Sequence, residues 1–218
     1  MGLKRLISVF LMSVLVFVMH FAFAQESAVV VEQGFGKSTA GSDGIVFIRP
    51  FDKEKADVFS IGMNYYFRPE RAFFRLNSGL SYYSIFDTDA GFKYLRLPVG
   101  IELCLGRRLQ VLPAAGLSGS YLLDYNPDAV SDDFVKSRSL FQLGWYGRLG
   151  VGFLMKDQYM INLAWQQNFD LTHLYRVSLI SPGGAPYSLD VKGYEGMLML
   201  GVRCNIFRNS NAPQRPPD

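Results

Sequence analysis

The chain has 218 residues, 49% of them hydrophobic and 19% charged, with 22 Lys+Arg against 19 Asp+Glu. That length suits one domain with a sizeable core, and so even a charge balance argues against a nucleic-acid partner. Two cysteines, Cys104 and Cys204, are too few for a disulfide framework.

The N-terminus reads Met1-Gly2-Leu3-Lys4-Arg5, then apolar from Leu6 to Phe21, then Ala22-Phe23-Ala24 and the polar Gln25-Glu26. A basic start, an apolar stretch and an A-x-A site form a secretory signal peptide, with cleavage expected after Ala24. A retained anchor is the alternative, but the apolar stretch is shorter than the ~20 residues of a spanning helix and no stop-transfer pattern follows. No cysteine stands at the cleavage point to accept lipid. Removing Lys4 and Arg5 lowers the net charge from +3 to +1.

Beyond residue 24 the pattern is that of strands, with no convincing amphipathic helix. Eight are expected, at 28–37, 57–67, 72–86, 92–105, 109–124, 139–155, 159–170 and 191–207. Three connections are tight: Arg68-Pro69-Glu70-Arg71, Gly106-Arg107-Arg108 and Lys156-Asp157-Gln158. The others, 38–56, 87–91, 125–138 and 171–190, are mostly longer and more polar. Long and short alternate because successive hairpins close at opposite ends of a sheet. An even strand count then places both termini at the tight-turn end, the pattern of an outer-membrane barrel. The tail 208–218 contains Pro213, Pro216 and Pro217 and is expected to be extended or disordered.

The strands alternate greasy and small-polar residues. In 57–67, Phe59, Ile61, Met63, Tyr65 and Phe67 oppose Ser60, Gly62, Asn64 and Tyr66. In 92–105, Leu95, Leu97, Val99, Ile101, Leu103 and Leu105 oppose Tyr94, Arg96, Pro98, Gly100 and Glu102. In 109–124, Leu109, Val111, Leu117, Tyr121 and Leu123 oppose Gln110, Ala114, Gly116, Ser118, Ser120 and Asp124. In 139–155, Phe141, Leu143, Trp145, Leu149, Val151 and Phe153 oppose Gln142, Gly144, Tyr146, Arg148, Gly150 and Gly152. In 159–170, Tyr159, Ile161, Leu163, Trp165 and Phe169 oppose Asn162, Ala164, Gln166, Asn168 and Asp170. In 191–207, Tyr194, Leu198, Leu200, Val202, Cys204 and Ile206 oppose Glu195, Met197, Met199, Gly201, Arg203 and Asn205.

The less greasy face decides which way the wall is turned. A solvated face carries many Lys and Glu; this one is filled with Gly, Ser, Ala and Asn. It reads as the crowded lumen of an eight-stranded barrel, where small residues make room for a few large polar ones. The expected lumen cluster is Arg75, Arg96, Glu102, Arg148, Glu195 and Arg203, beside Tyr146. Arg148 is expected to seek Glu102 or Glu195, since buried charges must be paired or hydrated. The greasy face is expected to meet lipid. Phe141 and Phe153 stand twelve residues apart on it, which spans roughly 30 Å along the normal at a tilt of ~40°. The expected lower aromatic girdle is Phe67, Phe74, Phe153 and Tyr159. The upper one is Phe59, Tyr82, Tyr121, Phe141, Phe169 and Tyr194, and Trp145 and Trp165 join the lipid-facing set. The alternative is a soluble β-sandwich or barrel that keeps these aromatics as its core.

The segment "FKYLRLPVGIEL", Phe92 to Leu103, resembles the tyrosine–leucine–x–leucine/isoleucine–proline segment of PorT-like outer-membrane barrels, an OmpA-like barrel type common in Bacteroidetes. "GVGFLM" (Gly150–Met155) and "GVRCNIF" (Gly201–Phe207) resemble the Gly-hydrophobic strand ends of that group. The resemblance implies an eight-stranded outer-membrane barrel, with members of the best-known branch assisting a secretion system. Eleven residues follow Phe207, whereas many such barrels end on the last strand's aromatic. The tail is too short for a peptidoglycan-binding domain.

Chemistry-bearing residues are sparse. His173 lies in "DLTHLYRVS" near Asp170 and Ser178. A lipid A hydrolase or acyltransferase would need such a His with a Ser nucleophile and an acid, but the spacing matches no motif. One His after the signal peptide and two separated Cys make no metal site, and no cofactor is expected. Cys104 and Cys204 fall on opposite faces, which argues against a disulfide. Eight strands close too tightly for free solute passage. The expectation is therefore an all-β, eight-stranded, antiparallel up-and-down transmembrane barrel over 25–207, in a Gram-negative outer membrane. It is read as a non-enzymatic structural or interaction protein, engaging lipid and a possible protein partner through loops 38–56, 125–138 and 171–190 or through the turns. A lipid-modifying enzyme and a soluble barrel binding an apolar ligand are the alternatives.

Overall fold

The computed structural model describes residues 24–41, 56–69, 73–86, 91–126, 135–155, 158–172, 175–180 and 186–208. The signal peptide ahead of Ala24 and the tail beyond Arg208 lie outside the described residues. The strands are β1 (Ala24–Gly41), β2 (Ala56–Pro69), β3 (Phe74–Phe86), β4 (Gly91–Leu103), β5 (Leu105–Gly106), β6 (Leu109–Asn126), β7 (Val135–Arg138), β8 (Phe141–Met155), β9 (Tyr159–Asp170), β10 (Tyr175–Ile180) and β11 (Pro186–Arg208). Eight of them, β1-β2-β3-β4-β6-β8-β9-β11, pair antiparallel in that order, and β1 pairs back onto β11 to close the barrel.

The register fixes the barrel's shape. Starting at Val29 on β1, partners run through Tyr65, Ser78, Val99, Leu117, Trp145 and Phe169 to Tyr194 on β11. Val29 itself pairs directly with Cys204 on β11. The walk round the wall therefore returns ten residues away from its start. Ten residues at ~3.3 Å against eight strands at ~4.8 Å tilt the strands by about 40°. An interior of that size is filled by side chains rather than open.

Several strands run past their expected ends. β1 occupies 24–41 rather than 28–37, and β11 begins at Pro186 rather than 191. The stretches expected as loops 125–138 and 171–190 contain β7, β10 and the start of β11. β10 pairs with β11 and carries β7 on its other side. Tyr175-Arg-Val-Ser-Leu-Ile180 itself alternates, so pairing continues where turn residues suggested a loop. The outer edge, β7, has four residues and a bulge at Lys136, both devices that protect a sheet edge from further pairing.

Two bulges in the barrel wall correct the strict parity. Lys93 pairs with Asp124 but Tyr94 with Leu122, leaving Leu123 as an extra residue on β6. Asp124, expected in the lumen, is instead exposed and ion-paired with Lys93 at 2.7 Å. Ser27 pairs with Phe207 but Ala28 with Asn205, leaving Ile206 extra on β11. Strict alternation from Arg203 and Asn205 to Phe207 therefore does not carry through that bulge. Pro98 has a local effect: pairing between β3 and β4 is interrupted opposite it, between Ser78↔Val99 and Ser81↔Arg96, because proline offers no N–H.

Away from the bulges the two faces are unlike. Leu97, Val99, Leu117, Leu149, Val151, Leu200 and Val202 are exposed on the outer wall. The buried side holds the polar residues together with Tyr66, Tyr94, Leu112, Met160 and Met197. Large lumen side chains fit because glycines face them. A Cβ on Gly100 would lie 2.3 Å from the Tyr146 hydroxyl and 2.6 Å from the Ala115 carbonyl oxygen. Gly100→Val is therefore expected to abolish the heat-modifiable folded band on gels. Gly91→Ala, whose Cβ would lie 3.7 Å from the nearest carbonyl oxygen, is expected to keep it.

Candidate functional site

β4 and β11 stand on opposite walls of the barrel and carry charges in inverted order: Arg96 then Glu102 on β4, Glu195 then Arg203 on β11. Both strands run toward the tight-turn end, so each charge meets its opposite across the lumen. The upper clamp is bidentate: Arg96 Nη1 donates to Glu195 Oε2 and Nη2 to Oε1, the latter at 3.0 Å. Arg96 Nε donates to Ser120 Oγ at 2.8 Å, and its guanidinium lies 4.3 Å over the Tyr83 ring. Asn168 Nδ2 donates to Glu195 Oε2 at 2.8 Å, and Asp170 stands 3.9 Å from Arg96. In the lower clamp, Arg203 Nη2 donates to Glu102 Oε1 at 2.6 Å and the guanidinium lies 4.3 Å over Tyr66. Arg75, on the strand beside β4, adds a contact to Glu102 at 3.8 Å.

Between the clamps lies a third pair. Arg148 on β8 donates from Nη2 to Glu32 Oε1 at 2.7 Å and from Nη1 to Oε2 at 2.9 Å. Asn64 Nδ2 donates to Glu32 Oε2 at 2.8 Å. This corrects the expected partner of Arg148, which is neither Glu102 nor Glu195: those carboxylates are taken by Arg203 and Arg96. Glu32, on the first strand, stands outside the expected lumen cluster. The signal was there, since Glu32 interrupts Val29-Val30-Val31 on the same alternate positions as Val30 and Gly34. A Cβ on Gly201 would meet the Glu32 Cγ at 3.0 Å, so the carboxylate side chain rests against a glycine.

Arg75, Arg96, Glu102, Arg148, Glu195 and Arg203 are all buried, with Glu102 0% and Arg203 1% exposed. Adding Glu32 and Asp170, the buried charged residues among those described are four guanidiniums and four carboxylates. Their formal charges sum to zero, and each cation faces an anion. Such pairs suit a water-poor interior, where one uncompensated charge is far costlier than the pair. Tyr146 completes the network by donating to Asn77 Oδ1 at 3.0 Å.

The outer aromatics divide into two groups. Tyr121, Phe141, Phe153 and Tyr159 are exposed, and Phe59, Phe67, Phe74, Tyr82, Trp145 and Trp165 are half-buried. Phe169 and Tyr194, expected to meet lipid, are each 4% exposed. The Trp145 ring stacks on Phe169 at 4.3 Å, and Tyr194 meets Phe169 edge-on at 6.2 Å. These three residues are paired neighbours on β8, β9 and β11, so the rings cover one another. Phe35, exposed on β1 with its ring 5.5 Å from Phe59, belongs to the outer set and was missed with Glu32.

Among the described residues no group of His, Cys, Asp or Glu could hold a metal ion. His173 and the side chain of Ser178 lie outside the described set, while the Asp170 carboxylate faces Arg96.

No family model matches the chain, and no curated protein matches it. Among solved structures, Neisserial surface protein A (NspA) is 14% identical, with 82% of this chain and 96% of that one covered and a TM-score of 0.54. Outer membrane protein AlkL (13%; 88% and 95% covered; TM-score 0.49) and the attachment invasion locus protein Ail of Yersinia pestis (15%; 83% and 99%; TM-score 0.44) also match. The likeness to NspA concerns the fold alone: the chain has the fold of a closed eight-stranded outer-membrane β-barrel.

Inverting one end of a clamp tests its role. Arg96→Glu would set three carboxylates together and is expected to cost about 3–5 kcal/mol in urea titrations of the refolded barrel. Arg96→Glu with Glu195→Arg should recover most of that loss. A single variant as stable as the parent would show that the clamp contributes nothing.

Proposed function

We propose that this chain spans the outer membrane of a Gram-negative bacterium as a plugged barrel and acts there as a structural or interaction protein. One observation carries the reading: the wall is inverted, with charge and amide groups buried inside and an outer surface made largely of exposed apolar side chains. A water-soluble barrel that binds an apolar ligand requires the reverse arrangement. Lipid is the solvent that makes this outer wall favourable.

The filled lumen separates this reading from a diffusion pore. Arg96, Arg148 and Arg203 are tied across the bore by Glu195, Glu32 and Glu102, which leaves the two ends of the barrel as the working surfaces. At the loop end, 38–56, 125–138 and 171–190 offer contact to a protein partner; at the other, the tight turns face the periplasm. A secretion-associated role rests on the PorT-like segment Phe92–Leu103. A lipid-modifying enzyme built on His173 finds less support, because Asp170 is engaged with Arg96 instead of standing free as its acid.

Both tryptophans of the chain, Trp145 and Trp165, lie on the outer wall. Reconstitution in bilayers with brominated acyl chains is expected to quench their emission strongly, and unquenched emission from both would exclude the membrane assignment. Crosslinked pull-downs from outer membranes should capture a reproducible partner that is lost when residues 127–134 are deleted. A folded deletion variant that captures it undiminished would move the contact elsewhere on the barrel.

A further inference from the structure

On the outer wall of β1, Gln33 is exposed, in alternation with the exposed Val31 and Phe35. Its partners on the two neighbouring strands are Ile61 and Leu200, both exposed. None of these four side chains offers a hydrogen bond to a carboxamide. Gln167, also on the outward alternation, is housed differently. It is 4% exposed and paired on each side with a glycine, Gly147 and Gly196. The protein covers that amide and leaves the Gln33 amide open.

The pairing register gives Gln33 its depth. In one direction its row of partners runs from Ile61 on β2 to Phe141 on β8, five strands away. In the other direction the row runs from Leu200 on β11 to Leu105 on β5, also five strands away. At the ~40° tilt such a row climbs about 3 Å per strand, so Gln33 stands roughly 15 Å below Phe141 and roughly 15 Å above Leu105. It lies at the middle of an apolar band about as thick as the hydrocarbon of a bilayer.

We propose that Gln33 is the centre of a two-fold contact between two copies of this barrel within the membrane. The inference rests on the membrane reading above. Acyl chains supply neither donor nor acceptor, so an open carboxamide at mid-depth has no solvent to satisfy it. A carboxamide carries both a donor and an acceptor and therefore complements itself. Across a two-fold axis along the membrane normal, Nε2 of each Gln33 donates to Oε1 of the other. Phe59 and Val202 each stand one strand over and two residues along from Gln33. At the same tilt they fall roughly 8 Å above and below it, on a line parallel to the barrel axis. Phe59, Gln33 and Val202 carry no charge, so this line can meet its own copy without repulsion, which a lysine or carboxylate on it would forbid.

The test uses the full mature barrel in phosphatidylcholine proteoliposomes. Cys104→Ser and Cys204→Ser remove the native thiols, and Val202→Cys places a reporter on the axis. Oxidation with copper phenanthroline is expected to yield a disulfide-linked dimer. Adding Gln33→Leu removes donor and acceptor while keeping the wall apolar. It should demand about ten-fold more protein per lipid for the same dimer fraction, and Gln33→Asn should recover part of that loss. Ser78→Cys in place of Val202→Cys puts an exposed thiol two strands from β1 and should yield little dimer. The heat-modifiable band verifies that each variant is folded. No dimer from Val202→Cys at any protein density, an undiminished yield in folded Gln33→Leu, or an equal yield from Ser78→Cys would each overturn the proposal. So would crosslinking in outer membranes to a different protein in place of a second copy. Failure of the parent to enter bilayers at all would instead count against the membrane reading.

Discussion

Closure at a stagger of ten residues leaves a bore that eight strands' own side chains must fill. Any charge within it has to be answered from another wall, since little water is at hand to do so. The inverted charge order on β4 and β11 meets that demand twice, and Glu32 with Arg148 meets it a third time between them. Because β4 and β11 run the same way, sliding one against the other would set like charges face to face. The pairs thus define which level of one wall lies opposite which level of the other. Ladder hydrogen bonds alone specify neighbours, not strands across a lumen.

The outer wall follows a different rule. It needs no particular partner, only apolar surface at the right depth, so its residues are interchangeable in kind: Leu, Val, Ile, Met and aromatics recur without order. At two of its glycines a neighbouring ring fills the space. The Phe141 ring would lie 3.2 Å from a Cβ on Gly119, and the Trp145 ring 3.9 Å from one on Gly147. Inside, by contrast, glycines exist so that a specific large group can fit, as Gly100 does beneath Tyr146.

Much of this was legible by counting in twos. Strand alternation separated the lumen residues from the outer ones because burial on one face of a strand has a period of two and nothing else in the chain competes with it. What alternation could not read was its own interruption. The bulge at Leu123 leaves no composition signal, so Asp124 was placed on the wrong side. Pairing partners were equally hidden, since Arg148 reaches Glu32 through the curvature of a closed wall and not through sequence spacing. Strand ends were missed where pairing outlives the apolar belt, as β10 and β11 do. Phe169 and Tyr194 obeyed parity yet are covered, because parity says which way a side chain sets out and not what lies over it.

The clamps also have a history in time. Arg96 and Glu102 are in place once the first half of the wall is made, but their partners Glu195 and Arg203 belong to the last strand. Until β11 is paired, Arg96 and Glu102 on β4 have no cross-lumen partner. The seam between the first and last strands and the two cross-lumen clamps must then form together, through contacts spanning nearly the whole chain. Such long-range contacts are slow to find, which makes closure of the wall, and not the making of its hairpins, the step at which this barrel commits to its folded state.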